Sequence, residues 1–280
     1  MAHNTRACLT ISLFMPRILS IFFVFVITIA VQTWCGVVQA HQPSASVLPL
    51  YLQESLDAKG LPLPLSPGMV KLIAYFERET GLQIEVHFLP WNRAQRMTLD
   101  GKGMIWAFSK TSDRMRSYQY SETVMQSRIW AIAHAEPRFE LRSIKDLKGK
   151  TISVERGVSH GLVFEQAKNT LFKVDEDAAS ATVRFKKLIA QRCDVLLWGL
   201  VQFEKPEPLL KYLHEVYLPS LKDDALINEK FYVSDTPLFL DTLHFASAKG
   251  AFSAEMQKMN LAIVHGLKTG ELNRLLREMK

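Results

Sequence analysis

The densest run of chemically capable residues in this 280-residue chain is Gly157-Val158-Ser159-His160-Gly161. It satisfies G-x-S-x-G between a predicted strand and a predicted helix, the setting in which a serine hydrolase places its nucleophile. Such an enzyme also needs an acid and a histidine, and Asp194 or Asp235 with His214, His244 or His265 could nominally serve. Against this, no His-Gly-Gly oxyanion segment precedes the serine, His244 falls in an apolar strand pattern and His265 in a helical one. Serine hydrolase or esterase is therefore the alternative reading, and the chain is read as a non-enzyme. The histidines beyond the leader are scattered, with no i, i+4 pair and no Cys/His ligand spacing, so no metal is expected. Phosphate-loop and dinucleotide fingerprints are missing as well, and no cofactor is expected.

Periodicity supplies the elements that must hold such groups. Met69, Leu72, Ile73 and Phe76 recur at helical spacing up to Gly81, a left-handed terminator. Leu82 to Leu89 alternates as a strand, Pro90 opens a helix from Trp91 to Leu99 that ends at Gly101 to Gly103, and Met104 to Phe108 is the next strand. A strand near Val47 to Leu52 gives way to a loop containing Pro62, Pro64 and Pro67. The second half repeats the pattern: strand Thr151 to Glu155, helices His160 to Asn169 and Ala178 to Gln191, strand Asp194 to Trp198. Leu243 to Ala248 reads as a returning strand, Ser253 as the cap of a helix carrying Met256, Met259, Ile263 and Leu267, and Glu271 to Met279 as a last helix. Strand, helix, strand alternation implies an open α/β sheet with parallel pairs, whose ligands bind at the carboxyl ends of the strands. Trp106 and Trp198, in such strands, are expected in the core.

Arg6 and Arg17 ahead of the apolar run Ile18 to Val31, followed by Val38-Gln39-Ala40, make residues 1–40 a signal peptide cleaved before His41, with a retained anchor the lesser alternative. Export to the periplasm follows. The mature chain is long enough for two lobes. Its net charge, +6 overall and +4 without the two leader arginines, is too mild to imply nucleic acid, and no basic block exceeds Lys186-Lys187. Cys8 and Cys35 lie in the leader, so Cys193 has no partner for an internal disulfide. Trp34 before Cys35 is too large for a lipoprotein processing site.

Several segments in order carry a resemblance: Pro90-Trp91-Asn92-Arg93-Ala94, Gly101, Ser109-Lys110-Thr111-Ser112-Asp113-Arg114, Tyr120-Ser121-Glu122, Ser143 to Lys150, Arg156-Gly157-Val158-Ser159 and Lys268-Thr269-Gly270-Glu271-Leu272. Over nearly the whole mature chain they resemble the family 3 extracellular solute-binding proteins of amino-acid uptake. The resemblance implies a two-lobed periplasmic binding protein fold, two open α/β sheets joined by a two-strand hinge. One lobe would comprise residues 41–128 plus 235–280, the other residues 129–234. It further implies capture of a small carboxylate-bearing molecule by a monomer, and delivery to the membrane permease of an ABC transporter or to a sensor.

On that resemblance Arg114 is the arginine that clamps a ligand carboxylate, a task suited to paired guanidinium N–H donors, and Ser109 at a strand end adds a hydroxyl. Ser159 matches a position where a hydroxyl and backbone N–H groups at a helix start receive the carboxylate from the second lobe, and Gly157 lets backbone approach the ligand. Trp91 can stack on a ligand while Arg93 supplies charge. Gly199 stands where typical amino-acid binders of the family carry the acid that pairs with the ligand's amino group. Either Glu155 or Glu204 substitutes, or the ligand is not an ordinary α-amino acid. The proline usual after Glu122 is also missing.

Overall fold

The computed structural model describes residues 47–54, 63–177 and 180–279; the leader, with Cys8 and Cys35, lies outside them. Its elements are β1 (Val47–Gln53), α1 (Pro67–Thr80), β2 (Gln83–Leu89), α2 (Trp91–Leu99), β3 (Met104–Ser109), α3 (Arg114–Ser117), β4 (Tyr118–Tyr120) and β5 (Met125–His134). There follow β6 (Thr151–Glu155), α4 (Leu162–Ala167), β7 (Lys173–Asp177), α5 (Ala181–Ile189), β8 (Val195–Leu200), α6 (Pro206–Tyr212), β9 (Phe231–Val233), β10 (Phe239–Ala248), α7 (Ser253–Thr269) and α8 (Glu271–Glu278). Local chemistry fixes many of these ends. Ser66 caps α1 by accepting the Met69 N–H at 3.2 Å, Pro67 occupies its first turn, and Gly81 closes it at φ 67°.

The strands pair in the order β2-β1-β3-β10-β5-β8-β6-β7, with β4 beside β10 and β9 beside β5. β1 lies parallel to β2 and β3, and β6 parallel to β7 and β8, as crossover helices require. The two long strands β5 and β10 are antiparallel to their neighbours and to each other, Met125 to Ile129 facing Leu243 to Phe239. Beyond that stretch each strand continues into a different sheet, β10 towards β3 and β4, β5 towards β8 and β9. This is the expected pair of α/β sheets with a two-strand joint.

Alternation along each strand decides the layers. Leu48, Leu50 and Leu52 of β1 pack with α1, α7 and α8, whereas Tyr51 joins Trp91, Ile105 and Phe108 on the opposite face. In β5, Ile129, Ala131 and Ala133 face Val154 and Phe164, while Trp130 and Ile132 face Phe185 and Leu213. Each sheet therefore buries both faces, as sheets covered by crossover helices do. Leu238 and Phe239 still pack with the β5 and β6 side of the molecule, so the return crossing falls inside β10.

Four sequence expectations need correction. β10 starts at Phe239 instead of Leu243. The helix expected from His160 begins at Leu162, because Gly161 at φ 86° is not helical. Ser253 is the first residue of α7 and not its cap; the position before it is Phe252, held at φ 56° with its ring against the α1/α7 core. Trp198 is only partly buried and faces the cavity described next, unlike Trp106, which is core.

Candidate functional site

The carboxyl ends of β3, β6 and β8 meet the β5/β10 joint around a cavity of about 270 Å3. Ser109 contributes from β3, Glu155 from β6, Trp198 and Gly199 from β8, Ser127 and Ile129 from β5, and Asp241 and Leu243 from β10. Trp91, Arg114, Ser159, His160 and Arg184 complete the wall. Strand ends converge here because parallel strands leave their last residues facing the same crevice.

Arg114 is anchored without a counter-ion. Its Nη1 donates to Ser109 O at 3.1 Å, and Nη2 donates to Gly157 O at 2.9 Å and Gln95 Oε1 at 3.3 Å. The guanidinium lies 4.0 Å from the Phe108 ring centre, and burial lowers its pKa from the ordinary arginine value. Among the described residues it makes no salt bridge. A guanidinium stays charged even so, and it arrives at the cavity with its positive charge uncompensated.

The loop Glu155 to Ser159 is held from the opposite side by four contacts. Besides Arg114 to Gly157 O, Gln95 Nε2 donates to Gly157 O at 3.1 Å, Gln53 Nε2 to Glu155 Oε1 at 2.6 Å, and Ser109 Oγ lies 3.1 Å from Ser159 O. Ser109 Oγ also lies 2.5 Å from Asp241 Oδ2. A hydroxyl has one proton, so with Asp241 ionised it can satisfy only one of these two acceptors. With Asp241 protonated, Asp241 donates to Ser109 and Ser109 donates to Ser159. Burial pushes the Asp241 carboxyl up to about 6, against the Ser109 bond and the Arg114 charge that favour ionisation. Burial likewise raises Glu155. His160 is pushed down to about 4 by burial and by the charges of Arg184 and Arg114, so it is neutral at pH 7.

No protein-family model matches the chain, and no curated protein does. Solved structures do, over most of its length. A mutant of ArgBP from T. maritima aligns at TM-score 0.59 and 17% identity over 84% of this chain and 95% of that one. An amino acid ABC transporter substrate-binding protein, AbpA from Streptococcus pneumoniae, bound to L-arginine, aligns at 0.58 and 15% over 84% and 94%. The GluR0 ligand-binding core from Nostoc punctiforme, in complex with L-glutamate, aligns at 0.58 and 14% over 84% and 98%. The fold is that of a two-lobed periplasmic binding protein.

In this binding-protein fold the G-x-S-x-G run has a packing explanation. Gly157 sits at φ 78° with Asn92 Oδ1 in the place a Cβ would take, and Gly161 at φ 86° leaves room for Asp241 Oδ1. Both glycines let the loop press against groups from α2 and β10. Ser159 is buried, three residues ahead of α4, and its Oγ accepts the Gly161 N–H at 3.2 Å. The nominated triad partners are engaged elsewhere: Asp194 with Thr151 N, Asp235 with Arg142, His214 with Phe231 O, His244 with Ser121 O and Thr242, His265 with Glu79.

Of the residues singled out in the sequence, Arg114, Ser109, Ser159 and Trp91 line the cavity. Gly157 does not line it and acts through its carbonyl, which holds Arg114, and Trp91 packs edge-on against Phe108 at 5.7 Å while keeping a surface on the cavity. Arg93 is exposed on α2 and does not line the cavity. Glu155 lines it; Glu204 pairs with Arg128 and does not. Asp241, Arg184, His160 and Ser127 are lining residues that sequence reasoning missed. Asp241 alone left a trace, as an acid inside the run Phe239-Leu240-Asp241-Thr242-Leu243, where strands disfavour it.

Proposed function

We propose that this chain is an exported solute-binding protein that captures a small carboxylate-bearing molecule in the interlobe cavity. Arg114 supplies the carboxylate clamp, Ser109 and Ser159 polar contacts, and Trp91 an aromatic wall; closure of the lobes encloses the ligand. The lobes comprise residues 41–128 plus 235–280 and residues 129–234, with the exchange between them made within β5 and β10. The protein acts as a monomer in the periplasm after loss of residues 1–40, and passes its cargo to the membrane permease of an ABC transporter, a membrane sensor being the other partner of this kind. The observation that carries this reading is Arg114: a half-buried guanidinium facing the cavity, held only by neutral acceptors. At ~30 Å3 per water the cavity has room for about nine waters, the scale of an amino or organic acid.

The test is a thermal-shift screen against amino acids, organic acids, amines and short peptides, repeated with Arg114→Ala. A saturable rise in melting temperature with carboxylates, lost in Arg114→Ala while the unliganded protein stays folded, supports the reading. Unchanged affinity in the variant refutes the clamp, and ester turnover lost in Ser159→Ala replaces binding with hydrolysis.

A further inference from the structure

Arg114 is not the sole cation at the cavity. Arg184, on α5, lines the same space from the other side of the joint, between Trp198 and Tyr217. Its Nε is buried without a hydrogen-bond partner, and among the described residues Arg184 makes no salt bridge. Its guanidinium charge therefore has no counter-ion at the cavity, and an anion arriving there would supply one.

The acids around the cavity do not neutralise these two cations directly. Glu155 is bonded to the Gln53 amide and Asp241 to the Ser109 hydroxyl. Burial moves both towards their neutral forms, whereas arginine has no accessible neutral form. His160, beside both arginines, is neutral. At Gly199 an acidic side chain would have to displace two neighbouring side chains: a Cβ there would stand 2.8 Å from Ser127 Oγ and 3.1 Å from Ile129 Cδ1. The cavity thus holds two fixed positive charges that no carboxylate pairs with directly, and Asp241, ionised above about pH 6, faces the Ser109 hydroxyl.

We infer that the ligand carries two anionic groups, a dicarboxylate or an acidic amino acid, one carboxylate meeting Arg114 and the other Arg184. The inference rests on the carboxylate-capture reading above and adds Arg184 as the residue that sets specificity. Such a ligand would give the Arg184 guanidinium the counter-ion it lacks among the described residues, and a monocarboxylate held by Arg114 would not.

The experiment is calorimetric titration of the purified protein with matched pairs, glutamate against glutamine and glutarate against pentanoate, for wild type, Arg184→Gln and Arg184→Met. In wild type the dianionic member of at least one pair binds about tenfold or more tightly than its partner. Both Arg184 variants bring that ratio close to one. Using two replacements of different polarity keeps the test open if one fails to fold, and wild-type ratios stand by themselves. A monoanion that binds as well as its diacid, a ratio that survives in the Arg184 variants, or no binding by any diacid overturns the inference. The outcomes also separate the two claims: a ligand lost in Arg114→Ala but showing no preference for a second charge leaves carboxylate capture standing and removes only the role of Arg184.

Discussion

Replacing Asp241 by Asn should make the protein more stable at neutral pH, contrary to the usual effect of altering a buried, hydrogen-bonded residue. Asp241 is 7% exposed, and its carboxyl titrates at about 6 in the fold against an ordinary 3.8. Between those values the folded state binds more protons than the unfolded one, so unfolding free energy falls as pH rises. The contribution is fully present below pH ~4 and is lost as pH climbs through about 6. At ~1.4 kcal/mol per pH unit the loss amounts to about 3 kcal/mol. Asn cannot ionise, and its amide can donate to Ser109 Oγ, leaving the Ser109 proton for Ser159 O. Urea unfolding midpoints taken from pH 4 to 8 give the comparison, and subtracting wild type cancels Glu155 and His160, which titrate in both proteins. The difference, Asn minus wild type, should be near zero at pH 4 and rise to a plateau of about 3 kcal/mol above pH 7. A flat difference, or one that falls with pH, would refute the proton accounting at Ser109.

Restoring an acid at the position equivalent to that of amino-acid binders should fail: Gly199→Asp forces its Cβ against Ser127 and Ile129 and should cost about 1–3 kcal/mol by urea unfolding, with no gain in affinity for ligands bearing an amino group. Gly157→Ala combines a φ of 78° with a collision at Asn92 Oδ1, and should lower stability by more than about 1 kcal/mol in the same assay; a neutral result would mean the loop adapts freely.

Sequence periodicity located the elements whose chemistry is local. α2 and β6 run as expected over Trp91–Leu99 and Thr151–Glu155, since proline, glycine and a clean apolar pattern mark their ends. β10 was shortened because Asp241 and Thr242 interrupt its apolar run, and the interruption is where the strand passes the cavity. Three of the lining residues missed have a similar origin. Arg184 precedes Lys186-Lys187 and looked like one more solvated charge on a helix; nothing local says that its side chain turns inward. His160 was read as part of a nucleophile motif, and Ser127 carries no local signal that marks it out. Arg114, Ser109, Ser159 and Trp91 were legible through the family resemblance, and all four line the cavity near the carboxyl ends of strands. Arg93 follows Trp91 by two residues in the α2 helix and so lies on its opposite, exposed side, as helical spacing requires.

Asp241 and Ser127 sit directly opposite one another in the β5/β10 ladder. Under the closure proposed above, a parting of the lobes leaves that pair intact, since both residues would belong to the axle and not to the leaves that swing on it. The cavity floor therefore greets an arriving ligand in one geometry whatever the state of the lobes, while Arg114, Arg184 and Ser159 depend on how far the leaves have closed. Arrival rate and residence time become separable quantities: changes on the floor act on first encounter, and changes on the leaves act on how long the cargo stays.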